Sequence, residues 1–154
     1  MSYKLHFLSI FRELFVPHYR SLEFRAKILA AMLVAKKNLL ESDYDDVVEI
    51  AKDIYGDDKK RIHILVQTVK EYVNKATQGG ELNLDSLLKD IDYELKMTKR
   101  YVKKIDFAHL RRLMVNSDEI DEHFQQQVYE FFLNEVKNAI NKAIIIPNVI
   151  QSFF

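Results

Sequence analysis

The chain has no cysteine, and only three glycines and two prolines in 154 residues. Without cysteine there is no disulfide framework, no thiolate zinc site and no cysteine nucleophile, which is compatible with a cytoplasmic setting. With so little Gly and Pro the chain lacks tight-turn signals, and no strand pair or hairpin turn stands out. Long apolar runs are missing too. Residues 28–35 form the longest charge-free apolar run of the first half, far short of the roughly 20 residues a membrane span needs. The opening MSYKLHFLSIFRELF is interrupted by Arg12 and Glu13 and has no small-residue cleavage site, so it does not read as a signal peptide. Near the other end, AIIIPNVIQSFF is broken by Pro147 and Asn148 and reads as a tail docked on the core.

An excess of either charge is also absent, with 23 basic and 23 acidic side chains. That argues against a dedicated nucleic-acid binder. The charges are nevertheless blocked. Residues 1–40 hold seven bases and two acids, and residues 41–58 hold eight acids and one base. Residues 59–112 hold thirteen bases and seven acids, and residues 113–136 six acids and no base.

What is present is helical spacing. With 48% hydrophobic and 30% charged residues, the chain has enough of both for amphipathic helices around a core. Leu5, Leu8, Phe11 and Phe15 predict a first helix that Pro17 ends. Ser21 is placed to cap a second, through Ala26, Leu29, Ala30, Leu33 and Val34, ending at Lys36-Lys37-Asn38. Ser42 is placed to cap a third, with Val47, Val48, Ala51 and Ile54 inward and Gly56 as its stop. Asp57 or Asp58 starts a fourth through Ile62, Leu65, Val66, Val69 and Val73, and Gln78-Gly79-Gly80 is a flexible loop. Asn83 or Asp85 starts a fifth through Leu84, Leu87, Leu88, Ile91 and Leu95. A sixth is predicted over 98–115. The seventh begins near Asp121 with Phe124, Val128, Phe131, Phe132 and Val136, and extends toward Asn141.

The expectation is an all-α fold, a single compact bundle of about seven helices. One domain covers 1–154: an N-terminal amphipathic helix in 1–19, a core over 20–140 and an apolar tail over 143–154. A shift of 80 places Leu40 on Ile120, Leu33 on Leu113, Glu41 on Asp121, Tyr44 on Phe124 and Val48 on Val128. Two pseudo-repeated helix pairs are therefore expected, each with an acidic junction.

The junctions read KKNLLESDY (36–44) and NSDEIDEHF (116–124). They resemble the Ala-Asp-Gly-x-Ile-x-x-x-Glu loop of the TerB-like family, which includes tellurite-resistance TerB proteins and the N-terminal region of DjlA-type co-chaperones. The central Leu84-Asp85-Ser86-Leu87-Leu88 also resembles a segment of the DjlA branch, so the resemblance spans about 20–140. The motif's Asp is Lys37 in one copy and Ser117 in the other; its Gly is Asn38 and Asp118; its last Glu is Tyr44 and Phe124. The aliphatic position survives as Leu40 and Ile120, expected to be the packing part. The resemblance implies an all-helical fold, an acidic face associated with divalent metal, and scaffolding in stress complexes or at membranes.

Asn116, Asp118, Glu119, Asp121 and Glu122 supply oxygens of the kind Ca2+ takes. As an EF-hand loop they fail, with Ile120 at the fifth position, no Gly at the sixth and Gln127 at the twelfth. The competing expectation is that they cap a helix and favour its dipole. Glu119 and His123, four apart, make an incomplete zinc pair. His63 and His109 fall in apolar patterns and are expected at buried or boundary positions. No G-x-S-x-G elbow, P-loop or dinucleotide fingerprint is present, so no catalytic residue and no required cofactor are expected.

The leading expectation is a non-enzymatic, cytoplasmic interaction or scaffold module that docks a protein partner. Its acidic face would be Glu41, Asp43, Asp45 and Asp46 with Asp118, Glu119, Asp121 and Glu122. The alternative is a stress protein binding Ca2+ or another divalent cation through Asp118, Glu119, Asp121 and Glu122. A small helical enzyme is a third class. The aromatic ends (Phe7, Phe11, Phe15, Phe153, Phe154) are expected to cover the core, with peripheral membrane contact of the first helix as the other use.

Overall fold

The computed structural model describes residues 19–78 and 82–145. The expected first helix, the Gly79-Gly80 loop centre and the tail docking fall outside them. The described residues form α1 (Arg20–Val34), α2 (Glu41–Tyr55), α3 (Lys59–Thr77) and α4 (Leu84–Met97). A 3-10 turn (Lys99–Lys104), α5 (Phe107–Arg112) and α6 (Glu119–Ile145) follow. Among these residues there is no strand, and no helix is long and apolar enough to cross a membrane.

α1 is the hub, packing against α3, α4, the 3-10 turn and α6. Its residues 28–33 are buried in succession, which a one-sided amphipathic helix would not allow. A helix apolar all round must be enclosed. Ala26, Ala30 and Ala31 are fully covered, and their small side chains let neighbouring backbones approach closely. α3 supplies Leu65, Val69 and Val73, α2 supplies Val47, Ile50 and Ala51, and α4 supplies the i, i+4 row Leu87, Ile91 and Leu95. Lys27 Nζ ties α1 to α4 through Asp90 at 2.6 Å and Glu94 at 2.9 Å.

Helix ends follow local chemistry. Gly56 closes α2 at φ 61°, a conformation L side chains rarely adopt. Asp58 accepts the Arg61 N–H at the start of α3, at 3.1 Å. Asn83 and Ser86 exchange bonds of 2.8 Å at the start of α4, a reciprocal capping box. Two expected caps differ. α1 begins at Arg20 with no side-chain cap, so Ser21 lies inside it. Ser42 lies inside α2, whose start is held by Asp43 instead.

The helix expected over 98–115 is broken. Asp106 accepts the Ala108 N–H at 2.9 Å, a local bond that starts α5 afresh. The preceding 3-10 turn is fixed by Tyr101, stacked on Phe24 with ring centroids 4.8 Å apart. α6 begins at Glu119, two residues before Asp121, and runs 27 residues to Ile145. That is about 40 Å at the usual helical rise. Of its expected core residues, Val128 and Phe132 are buried, while Phe124, Phe131 and Val136 are half-buried.

Candidate functional site: two junctions locked together

The turn after α1 and the turn before α6 lie against each other, 80 residues apart in the chain. Lys37 and Asn38 both donate their backbone N–H to the Asp121 carboxylate, at 2.8 and 3.1 Å. Asn38 Nδ2 donates to Asp118 at 2.9 Å. Asp118 also accepts the Asp121 N–H at 2.8 Å, as an N-cap for α6. That amide first, and the Asn38 amide second, hold the Asp118 carboxyl below the usual aspartate range.

Each turn is secured from within as well. Lys36 Nζ contacts both oxygens of Asp43, at 2.8 and 2.9 Å, with the two side chains only 1% and 4% exposed. Asp43 also accepts the Leu40 N–H at 2.8 Å. Behind the second turn, Gln125 is fully buried. It donates to the Met32 carbonyl at 3.2 Å and the Leu113 carbonyl at 3.1 Å, and accepts from the Ser117 hydroxyl at 2.6 Å. Buried polar groups left unpaired are costly, and here all three are paired.

The acidic residues therefore divide. Asp43 and Asp121 are buried and bonded, and Asp118 is exposed but bonded. Glu41, Asp45, Glu119 and Glu122 are exposed and form no ion pair among the described residues, while Asp46 is half-buried. Burial raises the Asp46 carboxyl, against the opposing pull of Arg112.

Leu40 and Ile120 correct an expectation. They are 53% and 61% exposed, so neither packs in the core. Both sit two residues beyond the Asn38–Asp118 bond. Capping decides the outcome, because each stands at the first turn of a helix whose inward positions are taken by Asp43 and Asp121. Val115, 76% exposed, lies in the same region. It edges a shallow, open groove of about 330 Å³ between α5 and α6, lined also by Met114, Tyr129, Glu122, Gln126 and Arg111. Arg111 donates to the Tyr129 hydroxyl at 2.7 Å.

For a cation the arrangement offers little. No three His, Cys, Asp or Glu side chains converge among the described residues. Asp118 and Asp121 spend oxygens on amides, leaving Glu119 and Glu122 on the rim. His123 lies against the Phe124 ring and within 3.3 Å of the Gln127 amide. His63 is exposed rather than at a boundary, and His109 stands 3.7 Å from Asp53 and from Asp106. Sequence reasoning missed Lys36, Asn38 and Gln125. Each reads as surface-polar; Lys36 finds Asp43 within its own junction, Asn38 finds Asp118 only when the other junction approaches, and Gln125 bonds both to Ser117 and Leu113 nearby and to Met32 of α1. Comparison with family models, with characterised proteins and with solved structures finds no match to this chain.

Proposed function

We propose that the chain is a non-enzymatic, cytoplasmic interaction module of TerB-like type, whose joined acidic end docks a basic protein partner. The observation that carries this reading is the division of the acids. Asp118 and Asp121 lock the two junctions together, and Asp43 braces the first from within. Glu41, Glu119 and Glu122 remain exposed on it beside Leu40 and Ile120. Exposed aliphatic residues rimmed by uncommitted carboxylates suit an amphipathic, lysine- or arginine-bearing segment. The charges steer and orient it, and the apolar contact lengthens its stay. The meeting of the two junctions in one site also supports the TerB-like kinship.

The test is calorimetric titration with a synthetic helical peptide bearing lysine on one face and leucine on the other. Wild type should bind it, and Glu41→Lys/Glu119→Lys/Glu122→Lys should lose binding at least about tenfold with helicity unchanged. Equal binding by both would refute the reading.

A further inference from the structure

Uncommitted charges of the opposite sign gather elsewhere on the fold. Lys99, Arg100 and Lys103 project from the 3-10 turn, all exposed and with no ion pair among the described residues. Lys96, one helical turn before them, pairs with Asp92 at 2.8 Å and is itself exposed. Between residues 95 and 105 there is no acid. Tyr93 and Met97, four apart on α4, stand out of this basic surface at 61% and 67% exposure.

The exposed large apolar side chains follow the same segregation. Six are exposed among the described residues. Leu40, Val115 and Ile120 lie at the acidic end and Tyr93 and Met97 at the basic end, and the sixth is Ile140 on α6. Each end thus joins apolar contact area to an excess of one charge: Glu41, Glu119 and Glu122 with Lys37 and Arg111 among them at one, and Lys96, Lys99, Arg100 and Lys103 with Asp92 and Glu135 beside Lys96 at the other. The acidic end has a groove, and the basic end has two protruding side chains. Because the whole chain has no net charge, copies meet without long-range repulsion, a condition that favours association.

We infer that copies of this chain associate head to tail, with Tyr93 and Met97 of one copy seated in the α5–α6 groove of the next. Lys96, Lys99 and Arg100 then face Glu119 and Glu122, while Arg111 stays on the Tyr129 hydroxyl. The inference rests on the acidic-end reading and names its partner as the chain's own basic surface. Such a contact joins two different patches, so it builds a ring where the rotation closes and an open array where it does not. It is governed by exposed charges and weakens with salt.

Sedimentation velocity on the full chain tests it. At about 50 mM salt the mass should rise above monomer between roughly 10 µM and 1 mM, and fall back to monomer near 0.5 M salt. Lys99→Glu/Arg100→Glu/Lys103→Glu and Glu119→Lys/Glu122→Lys should each be monomeric alone. An equimolar mixture of the two should form a one-to-one complex, because each carries the intact patch that the other lacks. Tyr93→Ser/Met97→Ser, mixed with the acidic-end variant in the same way, replaces the basic-end variant if far-UV circular dichroism shows that one unfolded. A wild type that stays monomeric at about 1 mM, a mixture that does not associate, or association that survives in either variant would overturn the inference. Peptide capture by a strictly monomeric wild type would overturn it while leaving the acidic-end reading intact. Loss of both would remove the two together. Binding to phosphatidylserine vesicles through Tyr93 and Met97, without self-association, would assign the basic end to membranes instead.

Discussion

The two junctions solve the same problem by different chemistry. Each leads into a helix and each buries an aspartate within its first turn. Asp43 is neutralised by a side chain, the Lys36 ammonium. Asp121 is held by main-chain amides of Lys37 and Asn38, donated from the other junction. A side-chain pair can be exchanged for another pair of similar volume. Every residue but proline keeps its backbone amide, so exchanging the Lys37 or Asn38 side chain leaves these donors to Asp121 in place. The first junction is therefore self-contained, and the second is the one that clamps α6 to the end of α1.

Asp43→Ala should do the most damage. It strands the Lys36 ammonium in a buried site and frees the Leu40 N–H, a loss of about 3–5 kcal/mol by urea unfolding. Lys36→Met/Asp43→Leu should recover more than half of that loss, since an apolar pair of similar size often replaces a buried ion pair. Failure to recover would erase the distinction between the junctions. Gln125→Leu comes next, at about 2 kcal/mol, because it removes the donors to the Met32 and Leu113 carbonyls and the acceptor of the Ser117 hydroxyl.

A smaller effect lies outside both junctions. Burial first, and then Asp92 beside it, push the Glu135 carboxyl up to about 6. The unfolded chain releases that proton near the ordinary value of about 4.3. The fold therefore binds the proton more tightly than the unfolded chain, and stability falls as pH rises from about 4 to 6. Glu135→Gln should raise stability above that window by under about 1 kcal/mol, given partial solvent screening, and change little below it. A gain that is the same at pH 4 and pH 7 would contradict the assignment. Smallest of all, millimolar Ca2+ should leave the thermal midpoint in place, because Asp118 and Asp121 already spend oxygens on amides. A rise of several degrees would favour the cation site instead.

Legibility from sequence tracked the range of the interactions. Gly56 was readable, and Asp58 and Asn83 were each one of two candidates, because stops and caps draw on residues within a turn; Ser21 and Ser42 offered the same local chemistry and are not used as caps. The inward rows of α3 and α4 were readable for the same reason. The enclosure of α1 was missed although the apolar run 28–35 leaves no polar face for solvent, because the inward row alone was read from it. The break at Asp106 was hidden because Val102, Ile105 and Leu110 hold helical spacing across it. Within the candidate site, the sequence marked the two stretches that meet but not the division of labour among their acids. Asp118, Glu119, Asp121 and Glu122 look alike in a row of acids, and Lys37 and Asn38 lie 80 residues away. Leu40 and Ile120 were misread for a related reason, because an aliphatic residue beside a helix start gives no sign of which way it turns.

Asp121 and Glu122 are neighbours in the chain, one 1% exposed and the other open to solvent. A paired measurement on Asp121→Asn and Glu122→Lys therefore tests the division of the acids most directly, reading urea unfolding and peptide titration for each. Asp121→Asn should lose about 1–2 kcal/mol, since one of two amide donors is left unmatched, and still bind the basic peptide when folded. Glu122→Lys should stay within about 1 kcal/mol of wild type and bind the peptide several-fold more weakly. Weakened binding in Asp121→Asn together with unchanged binding in Glu122→Lys would contradict the account.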